Sequence, residues 1–178
     1  MEILVPDDYQ YLYVRNEERP VYKIPAPVLR QTAVAITAVN KKILQLADRM
    51  IEIMKKSNGI GLAAPQVGAL HRLIVIAPED YKPTVLINPK VVSSTGEIVM
   101  QEGCLSIPGL YGDVLRPEKV TVEAYDRKGR PSLYDLEGMP ARVVQHEIDH
   151  LEGILFIDKV DVATLHWTHP DKASDVTE

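Results

Sequence analysis

One stretch of the chain constrains its fold more than any other. Residues Met139-Pro140-Ala141-Arg142-Val143-Val144-Gln145-His146-Glu147-Ile148-Asp149-His150-Leu151 read as a helix, with Pro140 suited to its start and Gly153 to its stop. Val143, Val144, Ile148 and Leu151 make that helix largely apolar, so it belongs inside a domain. It nevertheless carries two histidines and a glutamate, and polar groups taken out of water need partners. His146 and His150 stand four residues apart on one helical face, where both imidazoles can reach one metal ion. Glu147 sits beside the first of them and can exchange protons with a water at that metal. The competing reading is a pair of polar residues on a solvated face.

A metal needs more than two ligands, and a catalytic site usually takes three from the protein. The candidates are Cys104, the other histidines His71, His166 and His169, and the downstream acids Asp158 and Asp161. Cys104 is the only cysteine, which excludes an internal disulfide and suggests a reducing compartment. Its segment, Gln101-Glu102-Gly103-Cys104-Leu105-Ser106-Ile107-Pro108, reads as a strand end and a turn, with Gly103 allowing close backbone approach and Pro108 ending any ladder. A thiolate fits a metal site well, although a small buried hydrophobe is the usual role of a free cysteine. A third segment, Gly59-Ile60-Gly61-Leu62-Ala63-Ala64-Pro65-Gln66-Val67-Gly68, is glycine-rich but lacks the Gly-Lys-Ser/Thr ending of a phosphate loop. It follows a helix, whereas a dinucleotide fingerprint follows a strand. It reads as a tight connection in which Gln66 is the one strong hydrogen-bonding side chain.

The remaining pattern predicts an α+β fold. Ile43, Leu46, Ala47, Met50, Ile51 and Met54 recur at helical spacing over about Asn40 to Lys56, and Asn58-Gly59 ends that helix. Strands are expected at Leu73–Ile76, Val85–Asn88, Ile98–Gln101, Val120–Ala124 and Ser132–Tyr134, with turns such as Asn88-Pro89 between them. Antiparallel or mixed sheets should therefore pack around the central metal-binding helix, with the other helix N-terminal to them. Residues 1–20 read as an irregular lead-in, the chain to about Arg30 as extended, and residues 166–178 as a polar, frayed tail. A chain of 178 residues suits one domain, 1–178, and can bury roughly 70% of its unfolded surface without disulfide staples. The net charge of −5 gives no electrostatic footprint for nucleic acid. The acidic start and the lack of a long apolar run imply no secretory signal and no membrane span, hence a cytoplasmic protein.

Taken together, the three segments resemble the peptide deformylase family. Its Gly-x-Gly-Leu-Ala-Ala-x-Gln, Glu-Gly-Cys-Leu-Ser and Gln-His-Glu-x-Asp-His motifs stand complete and in order as Gly59–Gln66, Glu102–Ser106 and Gln145–His150. The likeness runs from about Lys23-Ile24-Pro25 to Ile157-Asp158. It implies removal of the N-formyl group from the initiator methionine of new polypeptides, releasing formate. It implies that Cys104, His146 and His150 hold one divalent metal, ferrous iron in the cell, with zinc, nickel or cobalt able to replace it. Glu147 would then be the general acid and base. The Gln66 amide and the Leu105 backbone N–H would face the developing oxyanion. Ile60, Gly61 and Gly103 would let the substrate backbone lie close. Ile60, Leu105, Val143, the His146 ring and the stem of Arg142 would wall the methionine pocket, and Glu102 with Arg116 would brace the cysteine strand. The implied partners are formylmethionyl nascent peptides and the ribosome, with the enzyme a monomer. After Pro108 the chain reads Gly109-Leu110-Tyr111-Gly112, where many bacterial members place a basic residue. The rival classes are a zinc endopeptidase built on His146, Glu147 and His150, and a non-enzymatic binder of formylated chains.

Overall fold

The sheets of this protein are antiparallel throughout. The computed structural model describes residues 1–169. Its regular elements, in chain order, are α1 (Lys41–Lys56), β1 (Gly61–Ala63), β2 (Leu73–Ile76), β3 (Thr84–Thr95), β4 (Ile98–Cys104), β5 (Ile107–Arg116), β6 (Lys119–Tyr125), β7 (Pro131–Glu137), α2 (Met139–Leu151) and β8 (His166–Trp167). One sheet has the order β1-β2-β3-β6-β7 and the other β4-β5-β8.

The two expected helices form where the apolar spacing puts them. Asn40 caps α1, its side chain accepting from the Ile43 N–H at 3.1 Å, and Asn58 takes the left-handed conformation just past its end at φ 52°. Ile43, Ala47, Met50, Ile53 and Met54 are its buried face. Ile53 thus replaces Ile51 and Leu46, which only border the core. Strand β2 is buried along its whole length and separates the two helices. Leu73 and Val75 pack on the α1 side, while Ile74 and Ile76 pack with Ala141, Val143, Val144 and Leu151 of α2. This is the period-two alternation of a strand serving two cores at once. Helix α2 also reaches the second sheet, because Arg142 donates to the carbonyls of Ile98 in β4 and Val114 in β5. The helix is therefore held between the two sheets, as its apolar surface requires.

Four sequence expectations need correction. Pro108 does not end the ladder but lies inside β5. The β4–β5 register jumps from Gly103↔Tyr111 to Cys104↔Ile107, so Pro108 to Leu110 bulge out, where a missing N–H costs nothing. Strand β3 runs through Asn88-Pro89 instead of turning. Asn88 adopts φ 52° at a register shift, and its side chain accepts from the Ile36 N–H and donates to the Ile36 carbonyl, both at 2.8 Å. The segment before Arg30 is not simply extended, since the Ile24–Pro25 bond is cis and Pro27–Arg30 forms a 3-10 turn, as does Asp7–Tyr13 within the lead-in. The tail is not frayed throughout: His166–Trp167 adds to β5 as β8. The rest of that expectation, residues 170–178, lies outside the described residues.

Candidate metal centre and cleft

Two elements deliver the donor atoms. Cys104 is the last residue of β4, and His146 and His150 project from one face of α2. Their ligand-type atoms all lie within 4.8 Å of one another, with Cys104 Sγ 3.3 Å from His150 Nε2. No other group of three such residues forms among the described residues. The alternatives lie elsewhere: Asp158 pairs with Arg30, Asp161 caps a turn through Ala163 N–H, His166 meets Gln101, His169 meets Tyr11, and His71 is exposed at a backbone bridge to Val34.

The centre is set by one carboxylate. Glu102, buried and two residues before Cys104, accepts from Arg116, Arg142 and His146. The His146 Nδ1–H donates to Glu102 at 2.9 Å, which fixes the ring and leaves Nε2 for the centre. Arg116 is 3% exposed and also reaches Asp149 at 2.8 Å, so the anticipated Glu102–Arg116 pair is a buried brace, not a rim contact. Burial pushes the Glu102 pKa up, but the bonds from His146 and Arg116 outweigh it and hold the carboxyl well below the usual range. The two histidines are driven apart. Burial opposes charge on both, yet hydrogen bonding to Cys104 and Glu102 raises His146 well above its ordinary value. Burial, reinforced by the positive charge of His146 and Arg116, pushes His150 well below.

Glu147 follows His146 and turns into the same space. Its Oε2 is buried with no hydrogen-bond partner among the described residues, and burial raises its pKa to about 7. Gly61 of β1 lies directly against it: a Cβ at that position would stand 2.4 Å from Glu147 Oε1 and 2.8 Å from Val143 Cγ1. Only glycine lets the strand come so near. Gln66 arrives from the turn after β1. Its Oε1 accepts from the Ala63 N–H at 2.9 Å, so its amide NH₂ points inward, 3.1 Å from Ser106 Oγ and 3.6 Å from Cys104 Sγ.

These groups line a cleft of about 550 Å³. Ile60, Gly61, Gln66, Gly103, Cys104, Leu105, Arg142, Val143, His146 and Glu147 all border it, and His150, buried and in reach of Cys104, completes the group without lining the cleft. Arg142 contributes its stem, since its guanidinium is turned away into the Glu102 network. Sequence reasoning gave no role to Ser106, which orients the Gln66 amide, or to Asp149, which extends the Arg116 brace. Both sit inside the recognised motifs, which was the available signal. It also missed Gln101 and Tyr111 as cleft residues.

Fold and site together define an α+β protein with a candidate metal centre, a thiol and two imidazoles beside a buried carboxyl in an open cleft. The family profile described as polypeptide deformylase matches residues 18–165. The peptide deformylase of Halothermothrix orenii is 49% identical over 141 residues, 79% of this chain and 92% of that protein. That of Dictyoglomus thermophilum is 46% identical over 147 residues, covering 83% and 95%. Among solved structures, a Synechococcus elongatus peptide deformylase in complex with actinonin superposes with TM-score 0.77 at 45% identity, covering 80% of each chain. The Thermotoga maritima peptide deformylase gives TM-score 0.77 at 37% identity, covering 79% of this chain and 96% of that one. The chain belongs to the polypeptide deformylase family and is a hydrolase of that kind.

Proposed function

We propose that this protein, acting as a single catalytic domain, removes the N-formyl group from the terminal formylmethionine of newly made polypeptides and releases formate. The observation that carries the reading is the convergence of Cys104, His146 and His150 within 4.8 Å beside the buried, partnerless oxygen of Glu147. The donor set fits a divalent cation: one thiol, two imidazoles, and a carboxylate behind His146 that fixes its tautomer. Cys104, His146 and His150 would hold it, and when bound it supplies Lewis-acid activation of water at neutral pH. By resemblance to the family that ion is ferrous iron in the cell, with zinc, nickel or cobalt as replacements.

The chain's own groups then divide the work. Water adds to the formyl carbon as Glu147 takes its proton. The C–N bond breaks when Glu147 returns that proton to the leaving amine nitrogen. A carboxyl near pKa 7 suits both halves of the transfer. The Gln66 amide, held by Ala63 and Ser106, and the Leu105 N–H face the oxygen on which negative charge develops. Ile60, Gly61 and Gly103 border the path of the substrate backbone, which can pair there as an added strand. Leu105, Val143, the His146 ring and the Arg142 stem offer the methionine side chain an apolar wall. The enzyme would meet its nascent peptides in the cytoplasm at the ribosome, as a monomer. Among the described residues no helix is long and apolar enough to cross a membrane.

The test is formate release from formyl-Met-Ala-Ser by anaerobically prepared protein carrying Fe(II) or Ni(II). Turnover is expected, and Glu147→Ala should keep its metal while losing turnover. Metal-loaded wild-type protein that yields no formate would overturn the proposal.

A further inference from the structure

Two segments outside the family match, residues 1–17 and 166–169, pack on the same few residues at the outer rim of the cleft. The rim consists of Gln101 from β4 and Pro108, Gly109 and Tyr111 from β5. It lies where β4–β5 pairing lapses between Gly103 and Cys104, and Gly109 sits there at φ 85°. A bulge of this kind has lost part of its ladder, so other contacts must fix its position.

Both ends of the described chain supply them. From the front, the Tyr9 ring lies so close to Gly109 that a Cβ there would stand 2.6 Å from it, and the Tyr13 hydroxyl donates to the Pro108 carbonyl at 3.2 Å. From the back, Trp167 pairs with Leu110 and His166 with Tyr111, while the Thr168 N–H donates to the Gly109 carbonyl at 2.8 Å. The ends also hold each other, with the Tyr9 and Trp167 rings 4.9 Å apart and the Tyr11 hydroxyl 3.1 Å from His169 Nε2. His166 orients the rim itself. Its Nδ1–H donates to the Thr164 carbonyl at 2.9 Å, so its Nε2 accepts from the Gln101 amide NH₂ at 2.9 Å. The Gln101 carbonyl is thereby turned away from His166. Tyr111 lies over Gly103, 2.6 Å from where a Cβ would be, with the His166 ring stacked 6.2 Å away at 28°.

We propose that the two chain ends form a clamp that positions Gln101 and Tyr111 as a recognition surface for the peptide downstream of the formylated residue. The proposal rests on the deformylase reading for the identity of the substrate. Tyr9, His166 and Trp167 are positioning residues, and Gln101 and Tyr111 determine specificity. The surface offers a π face and a neutral amide rather than a cation. It therefore suits backbone amides and flat or apolar side chains, not acidic ones.

The experiment compares formyl-Met-Ala with a formylated pentapeptide carrying an aromatic third residue, using full-length protein. Tyr9→Ala, Trp167→Ala and His166→Ala should each raise KM for the pentapeptide roughly three- to tenfold, with kcat and all constants for the dipeptide unchanged. Tyr9→Phe, which keeps the ring, and His166→Gln, which keeps an acceptor for Gln101, should restore the pentapeptide KM. Equal changes for both substrates, or no change in the ratio of their KM values, would overturn the clamp. A wild-type protein inactive on both peptides would instead refute the deformylase reading. The clamp would then be judged on calorimetric affinity for Met-Ala and the unformylated pentapeptide, where the variants must weaken only the longer one.

Discussion

Gly61→Ala puts the geometry of the site under direct test. The added methyl would meet Glu147 Oε1 at 2.4 Å and Val143 Cγ1 at 2.8 Å, whereas ordinary contact begins at 3.4 Å. The carboxyl must then retreat by about 1 Å, since β1 is fully buried and has little freedom to move away. A misplacement of about 1 Å in a reacting group costs on the order of a hundredfold in rate. Overpacking of a well-filled site costs about 1–3 kcal/mol, which for a domain of this size lowers Tm by roughly 2–12 °C. The assay is formate release alongside a thermal melt. Folded variant protein should bind metal at wild-type stoichiometry and turn over about a hundredfold more slowly. Wild-type kcat in folded Gly61→Ala protein would refute the claim that the Glu147 position governs the reaction.

Other outcomes follow from neighbouring groups. Glu102→Ala leaves Arg116 and Arg142 buried without their shared anion, so it should cost about 3–5 kcal/mol in denaturant unfolding. The same carboxyl links stability to pH. Its folded pKa is depressed, so its contribution is full above the ordinary carboxylate range and lost as pH falls through the folded value; acid melts of metal-free wild type should therefore steepen only below that range. Gln66→Ala removes one fixed amide donor and should lower kcat about 10²- to 10³-fold with little change in metal content, read by steady-state kinetics and metal analysis.

Helix α2 was legible because an apolar helix that carries His146, Glu147 and His150 must be buried, and burial forces the chain to supply partners. Helix α1 was legible from its 3.6-residue spacing, apart from Ile53 standing in the buried face where Leu46 and Ile51 were expected. Strand β5 was not. Pro108 and Gly109 are breakers in an ordinary ladder, and only the register jump beside Cys104 makes room for them. Strand β8 is two residues long and exists only because β5 offers an edge, which no local pattern records. The convergence of Cys104, His146 and His150 was legible once the three motifs were read together. On spacing alone Cys104 had several rivals, and they are excluded by distance in space rather than in sequence. The orienting role of Ser106 depends on a contact across forty residues to Gln66, beyond the reach of local reasoning.

The central claim is that one sulfur and two imidazoles share a cation. Metal stoichiometry of anaerobically purified Cys104→Ser, set against the wild type, tests it most directly. Wild-type protein should carry one divalent ion per chain, and the variant should lose most of it while remaining folded. A folded variant that keeps a full equivalent would contradict the account.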